Sequence, residues 1–154
     1  MPPTALSVER LVINSYPLAN PCNRLLDLTG MWKVAYRTAS TSTPYVHGRN
    51  SHPSYLDELT VVFPGLLIGN VSSTGSTNSD ARDGLADNYE EFYTAVLAPV
   101  DSGDGTRAIS WVRGDSATWT GTVRVENFDV RAHDPAAISY SLTLAFPAGR
   151  LTAP

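Results

Sequence analysis

NSDARDGLADNYEEFYTAVLAP, residues 78–99, is the only stretch of the sequence with a clear helical period. Its apolar residues recur three and four positions apart and predict a helix over residues 80–97 that buries one face. Ser79 or Asp80 can cap its first turn, and Pro99 ends it because proline cannot continue a helix. The predicted core face is Leu85, Tyr89, Phe92, Tyr93 and Val96, and the predicted solvent face is Asp87, Asn88, Glu90 and Glu91.

Strand patterns precede this helix. The segment RLVINSYPL predicts a short hairpin, with residues 11–13 and 16–18 as its arms and Asn14 and Ser15 as its turn. The segment MWKVAYRTA predicts a half-buried strand, because its large apolar residues alternate with polar ones. Those alternating residues are Trp32, Val34 and Tyr36.

A further strand pattern, LTVVFPGLLI, contains Pro64 and Gly65 at its centre. These two residues indicate either a tight turn between two strands or a bulge within one long edge strand.

Three strand patterns follow the helix. Residues 106–113 and 118–128 predict a hairpin with the turn GDS, and AISYSLTLAF predicts a strand by strict alternation. One face of the second hairpin arm is apolar, with Trp119, Val123 and Val125, and the other is rich in threonine. The polar face consists of Thr118, Thr120, Thr122, Arg124 and Glu126.

These elements predict an α+β protein that is mainly β, an antiparallel sandwich or barrel of about eight strands with one packed helix. The 154 residues fit a single domain, which we place at residues 10–151 after a flexible arm at residues 1–9. No secretory signal and no apolar run of membrane length is present, so we expect a soluble chain.

Composition and motifs exclude several classes of function. The net charge of −4 argues against a general affinity for nucleic acid phosphates. Cys22 is the only cysteine, and the spacing of His47, His52 and His133 matches no metal-ligand motif. The segment DSGDGT lacks the oxygen ligands of a calcium loop and predicts a turn. We therefore expect no metal and no cofactor, and because no catalytic motif occurs, no enzymatic activity.

Residues 38–53 form a long segment with no period of their own. Connections of this length in a compact domain are usually functional or disordered. The segment predicts either a loop that contacts a partner protein or a mobile surface excursion. The residues suited to a contact are Tyr45, Val46, His47, Arg49 and His52.

The tryptophans allow core or surface roles. Trp32 and Trp119 lie on the apolar side of their predicted strands, which favours core packing. Trp111 can occupy the core or an interface. An exposed aromatic platform for carbohydrate would draw on Trp111, Tyr45 and Tyr55.

The order of these segments resembles the tail-tube and distal-tail proteins of long-tailed bacteriophages, in particular small tail proteins of phages that infect actinobacteria. The resemblance covers residues 10–151. It is carried by the hairpin RLVINSYPL, the long loop with Gly48 and Arg49, the strand ELTVVF, the helix and strand entry GLADNYEEFYTAVLAPVDSGDGTR, and the final FPAGRL.

The resemblance implies a structural subunit of the virion tail that forms stacked hexameric rings around a DNA conduit, made in the host cytoplasm. In that family a long loop reaches the next ring, which implies that role for the loop at residues 38–53. The threonine-rich face at residues 118–126 then becomes the candidate lumen surface, which DNA passes without specific binding. Other tail proteins are the remaining expected partners, and no membrane is involved.

Two alternatives remain. A distal-tail or head-tail connector protein would use the same fold in a single ring. A carbohydrate-binding or decoration module would use the exposed aromatic residues instead.

Overall fold

The computed structural model describes residues 9–37, 40–41, 50–51, 55–101, 103–114 and 117–154. The fold is mainly β with one helix, which confirms the predicted class. A curled antiparallel sheet of seven strands is accompanied by two small two-stranded sheets. The strands are β1 Arg10–Ile13, β2 Tyr16–Pro17, β3 Asn23–Leu25, β4 Tyr36–Arg37, β5 Ser40–Thr41, β6 Asn50–Ser51, β7 Tyr55–Leu56, β8 Leu59–Ile68, β9 Arg107–Val112, β10 Thr118–Asp134 and β11 Ala137–Phe146, and the helix is α1 Ala81–Phe92, extended by a π-helical turn Tyr93–Leu97.

The large sheet has the strand order β2-β1-β9-β10-β11-β8-β3. Residues 18–22 alone connect its two edge strands. In a flat sheet the six strand spacings would place these edges about 29 Å apart. The chain from Pro17 to Asn23 reaches at most about 21 Å. The short connection therefore requires the sheet to curl into a half-barrel.

The core lies on the concave face of this sheet, beneath the helix. Its side chains come from β1, β8, β9 and β11 and from one face of α1. The largest fully buried side chains include Tyr140, Phe63, Phe92, Leu11, Ile13, Leu67, Leu142 and Leu144.

The first hairpin forms as the sequence predicts. Ile13 pairs with Tyr16, and Asn14 and Ser15 make the turn with φ of 49° and 67°. Positive φ at both central residues is the geometry of a type I′ turn, whose twist matches that of the flanking strands.

At Pro64 and Gly65 the structure contains neither the predicted turn nor the predicted bulge. β8 runs through both residues and pairs with β11 in one continuous register from Leu59 to Ile68. The Pro64 carbonyl accepts a hydrogen bond from the Leu26 amide, just past the end of β3. In an antiparallel strand the N–H and C=O of one residue point to the same side, so the N–H that Pro64 lacks would also face β3. Because β3 has ended there, the missing N–H costs little strand hydrogen bonding.

The predicted half-buried strand at residues 31–39 is wrong. Residues Thr29–Trp32 form a 3₁₀ turn, in which the amides of Met31 and Lys33 bond back to nearby carbonyls, and only Tyr36–Arg37 pairs as a strand. Trp32, Val34 and Tyr36 are 60%, 46% and 66% exposed. The alternation is present in the sequence, but most of the segment has no neighbouring strand to cover it.

The helix begins where predicted, because Asp80 caps it by accepting a hydrogen bond from the Arg82 amide. Its buried face is rotated relative to the prediction. Asn88 is buried and its amide donates to the carbonyls of Ile68 and Val71, whereas Tyr93 is 38% exposed.

The rest of the predicted helix face points toward the core. Leu85, Phe92 and Val96 are buried, and Tyr89 is half-buried against the core. At about 100° per residue, the buried positions of α1 are centred between Asn88 and Phe92, and Tyr93 lies well away from that centre. Hydrophobicity alone therefore placed Asn88 and Tyr93 on the wrong faces.

Candidate assembly surfaces

The polar face of β10 is exposed along its first half. Thr118, Thr120 and Thr122 are exposed, and they lie across from Val112, Ser110 and Ala108 of β9. Glu126 is exposed and Arg124 is half-buried. The five residues that the sequence suggested for a lumen surface thus lie along one strand.

Arg124 is the only cation of this face, and two carboxylates neutralise it. Its guanidinium lies 2.6 Å from Glu126 and 3.0 Å from Glu58. The hydrogen bond and charge of Glu126, with a smaller contribution from Glu58, raise the pKa of Arg124. The threonine-rich face therefore carries no net positive charge.

The second half of β10 has a free edge. The sequence predicted an end at Phe128, but the strand continues to Asp134 and forms a long hairpin with β11. β9 pairs with β10 only as far as Val123, so within the described residues no strand covers the other side of Arg124 to Asp134.

Two β-bulges explain why the sequence missed this part of β10. The pairing shifts between Val125 and Asn127 and again between Val130 and Ala132. Each bulge adds a residue and breaks the alternation of period two on which a strand prediction rests. The feature of the sequence that could have indicated the true end of β10 is Pro135, a turn residue just before the clear alternation of β11.

Two short strand pairs are described at and beside the predicted contact loop, residues 38–53. Tyr36 and Arg37 pair with Leu56 and Tyr55, and Ser40–Thr41 pairs with Asn50–Ser51. The five residues proposed for the contact lie outside the described residues: Tyr45, Val46, His47, Arg49 and His52.

All three tryptophans of the chain meet in one pocket, which we call the tryptophan pocket. Trp32 and Trp111 are in edge-to-face contact with ring centroids 4.8 Å apart, and Trp119 lies 6.5 Å from Trp111. The cavity has a volume of about 190 Å³. Its lining is Met31, Trp32, Lys33, Val34, Leu59, Trp111, Arg113, Trp119, Phe146, Gly149, Arg150 and Leu151.

Three basic side chains line this pocket. The Arg113 guanidinium lies 4.8 to 6.0 Å from the three indole rings, and that of Arg150 lies 4.8 Å from Trp119. These distances are those of cation–π contacts. The third cation, Lys33, is the only lysine of the chain.

The tryptophan pocket corrects the predicted roles of the tryptophans. Trp32 is 60% exposed, although the sequence favoured the core, and Trp111 is only 5% exposed. The Trp111 Nε1 donates to Glu9, which is therefore anchored to the fold although we had assigned it to the flexible arm. Of the aromatic residues suggested for a sugar platform, Trp111 presents almost no surface, Tyr55 is exposed, and Tyr45 lies outside the described residues.

The remaining candidates for chemistry are isolated or buried. His133 is exposed at the far end of β10, and Cys22 is buried with the pKa of its thiol raised to about 12 by burial. In the DSGDGT segment, Asp104 accepts hydrogen bonds from Thr106 in a turn, and these bonds lower the pKa of Asp104.

Two further kinds of site are absent from the described residues. No group of three or more His, Cys, Asp or Glu residues there could hold a metal ion. In the same part of the chain, no helix has the length and apolar character to cross a membrane.

No protein-family model matches the chain, and no curated protein matches it. Solved structures do resemble it. The crystal structure of the SPP1 Dit protein, described as a paradigm of the hub adsorption apparatus in phages that infect Gram-positive bacteria, matches with a TM-score of 0.58 and 11% identity. The match covers 96% of this chain and 53% of that chain, so this chain spans about half the length of the Dit protein.

Two gene transfer agent structures resemble the chain more weakly. A chain of the native virion matches with a TM-score of 0.49 and 11% identity, over 96% of this chain and 95% of that one. A chain from the tail of the empty particle matches with a TM-score of 0.40 and 12% identity, over 86% and 94%. At 11% identity, the likeness to the Dit protein shows that the two chains share a fold.

Proposed function

We propose that this protein is a non-enzymatic structural subunit of a phage tail, which assembles with copies of itself into rings in the virion. The observation that carries the proposal is the fold shared with the SPP1 Dit protein over 96% of the chain. That protein is described as part of a hub adsorption apparatus. The order of segments in the sequence supports the same class of protein.

The finer form of the proposal is a tail-tube subunit in stacked hexameric rings around a DNA conduit. The threonine-rich face of β10 is the surface suited to the lumen. Its one cation, Arg124, is paired with Glu58 and Glu126. A surface without net positive charge does not hold DNA phosphates, so the genome can pass without being retained.

The free edge of β10 supports self-association. Among the described residues no strand pairs with the backbone groups of Arg124 to Asp134 that face away from β11, so a strand of another subunit can pair there. Charged side chains and two bulges along this edge disfavour indiscriminate pairing. A subunit with matching register can still bind there.

A distal-tail ring is the second candidate, and the likeness to the Dit protein favours it specifically. In this form the subunits close into one ring and do not stack. The two candidates therefore differ in whether rings stack on one another.

Negative-stain electron microscopy of the purified protein over a range of concentrations tests the proposal. Long hollow filaments are expected for a tail tube, and isolated rings are expected for a distal-tail protein. A protein that stays monomeric at every concentration would contradict both forms.

Deletion of residues 47–51 tests the role of the loop in the tube form. We expect rings of normal diameter that no longer stack, because the proposed contact between rings is removed. A Gly and Ser replacement of the same length is the control that separates loop length from side-chain chemistry. Normal filaments from the deletion would contradict the role of the loop.

A further inference from the structure

The tryptophan pocket is suited to a single side chain. Its volume of about 190 Å³ lies below the roughly 300–1,000 Å³ of typical ligand pockets. Its floor is apolar, with Trp111, Phe146 and Leu151 buried. One large side chain of a protein partner fits this description better than an extended small molecule.

The surface beside the pocket is apolar and exposed. Trp32 and Val34 form part of the pocket wall, and Tyr36, Tyr55 and Leu56 of the adjoining small sheet are 45% to 66% exposed. Exposed apolar groups clustered in this way are typical of protein interaction sites.

The charge of the pocket indicates what the partner surface carries. Lys33 and Arg150 of the pocket lining are two of the 11 basic residues of an acidic chain. A complementary partner presents an aromatic or apolar side chain flanked by carboxylates.

The outer face of α1 has this composition. Asp83, Asp87 and Glu90 are exposed along it, and Tyr93 follows Glu90 by one turn and is 38% exposed. Over residues 81–97 the only cation is Arg82. Tyrosine and arginine are also among the residues that contribute most at protein interfaces.

The helix of the same chain is held away from its own pocket. At one end of β1, Glu9 bonds to Trp111 in the pocket, and beyond the other end the Asn14 side chain donates to the Ala95 carbonyl. Five residues of extended strand separate these contacts by about 17 Å. Asn88 fixes the helix further through its bonds to Ile68 and Val71.

We infer that the tryptophan pocket binds Tyr93 and the acidic outer face of α1 from a second copy of this chain. The inference rests on the proposed self-assembly and names its contact. Because the two surfaces differ, the contact is head-to-tail and repeats around a ring or along a stack.

Arg150→Glu tests the contact by placing a carboxylate in the pocket, against the acidic outer face of α1 that carries Glu90. We expect the concentration needed for half-assembly, measured by analytical ultracentrifugation, to rise by about tenfold or more, because like charges across an interface are costly. Glu90→Arg alone should weaken assembly similarly. The double variant Arg150→Glu with Glu90→Arg should recover assembly, which a surface contacting another protein would not do.

Arg24→Glu is the matched control, since Arg24 is exposed on β3 away from both surfaces. A thermal melt of each variant verifies that it folds. Tryptophan fluorescence gives a second readout, because every tryptophan of the chain lies in the pocket. We expect its emission to shift as the wild-type protein assembles.

Three results would overturn the inference. They are normal assembly of Arg150→Glu, failure of the double variant to recover, and assembly with unchanged tryptophan emission. In each of these cases the wild-type protein still assembles, and the proposed function stands. A wild-type protein that is monomeric at every concentration would overturn both.

Discussion

Gly65 shows how one residue permits the packing of the core. It lies across from Tyr140 in the pairing of β8 with β11, and a Cβ added there would collide with the Tyr140 ring. Tyr140 is fully buried and its hydroxyl donates to the Asn23 side chain, so the ring has little freedom to move. The Tyr140 ring therefore occupies the space that a side chain at position 65 would fill.

We expect Gly65→Ala to destabilise the protein by about 1–3 kcal/mol, the usual cost of overpacking a core. Urea denaturation followed by circular dichroism measures the change. Gly114→Ala is the control, because a Cβ at Gly114 meets no atom of the described residues within 4 Å. Equal stability of the two variants would show that Tyr140 moves aside freely.

At the scale of elements, Phe92 is a fully buried aromatic contact between the helix and the core. The Phe92 ring lies 5.5 to 5.8 Å from those of Tyr16, Phe128 and Tyr140. Tyr93, the next residue, is partly exposed and stacks on Tyr89 at 6.2 Å. These neighbours therefore differ greatly in what they contribute to the fold.

We expect Phe92→Ala to cost about 3–5 kcal/mol, as for other buried aromatic residues. Tyr93→Ala should cost well under that amount, because its side chain is not enclosed. Thermal unfolding of the two variants under the same conditions gives the comparison. An unchanged midpoint for Phe92→Ala would mean that the helix does not depend on this contact.

The predicted elements succeed where a local signal and the tertiary contacts agree. The β1–β2 turn, the Asp80 cap and the alternation of β11 are local signals, and each forms as expected. The strand predicted around Trp32 fails because most of that segment has no neighbouring strand. The end of β10 was missed because its two bulges break the alternation.

At the scale of the whole molecule, buried groups cluster where residues 18–22 connect the edge strands β2 and β3, and we call this cluster the seam. Tyr16 belongs to β2, Asn23 to β3, and Cys22 lies between them, with Tyr140 beneath. Burial raises the pKa of Tyr16, Cys22 and Tyr140, that of Cys22 to about 12. The folded state therefore keeps all three groups neutral.

This seam should make the protein sensitive to alkaline pH. In the unfolded chain, cysteine and tyrosine ionise near pH 8.5 and 10. The unfolded state therefore loses protons that the folded state keeps, and the free energy of unfolding falls as the pH rises. The stabilising contribution of these groups is complete below about pH 8.5 and is lost toward pH 12.

Thermal midpoints measured from pH 7 to pH 11 test this expectation. We expect a steady decline above about pH 8.5, with a shallower slope for Cys22→Ala because one of the three titrating groups is removed. The slopes of midpoint against pH are compared, and not the midpoints themselves, because Cys22→Ala also removes buried volume. A midpoint that is constant across this range would contradict the neutral seam.

The sequence by itself determined the class of fold, the helix and its cap, the first hairpin and the clearest strand. Each depends on residues close together in the chain, through hydrogen bonds to nearby backbone or through a repeated apolar pattern. Only the tertiary structure decided the continuous path of β8, the rotated face of α1, the free edge of β10 and the tryptophan pocket. Those features depend on which distant segment covers each side chain, and a local pattern does not contain that information.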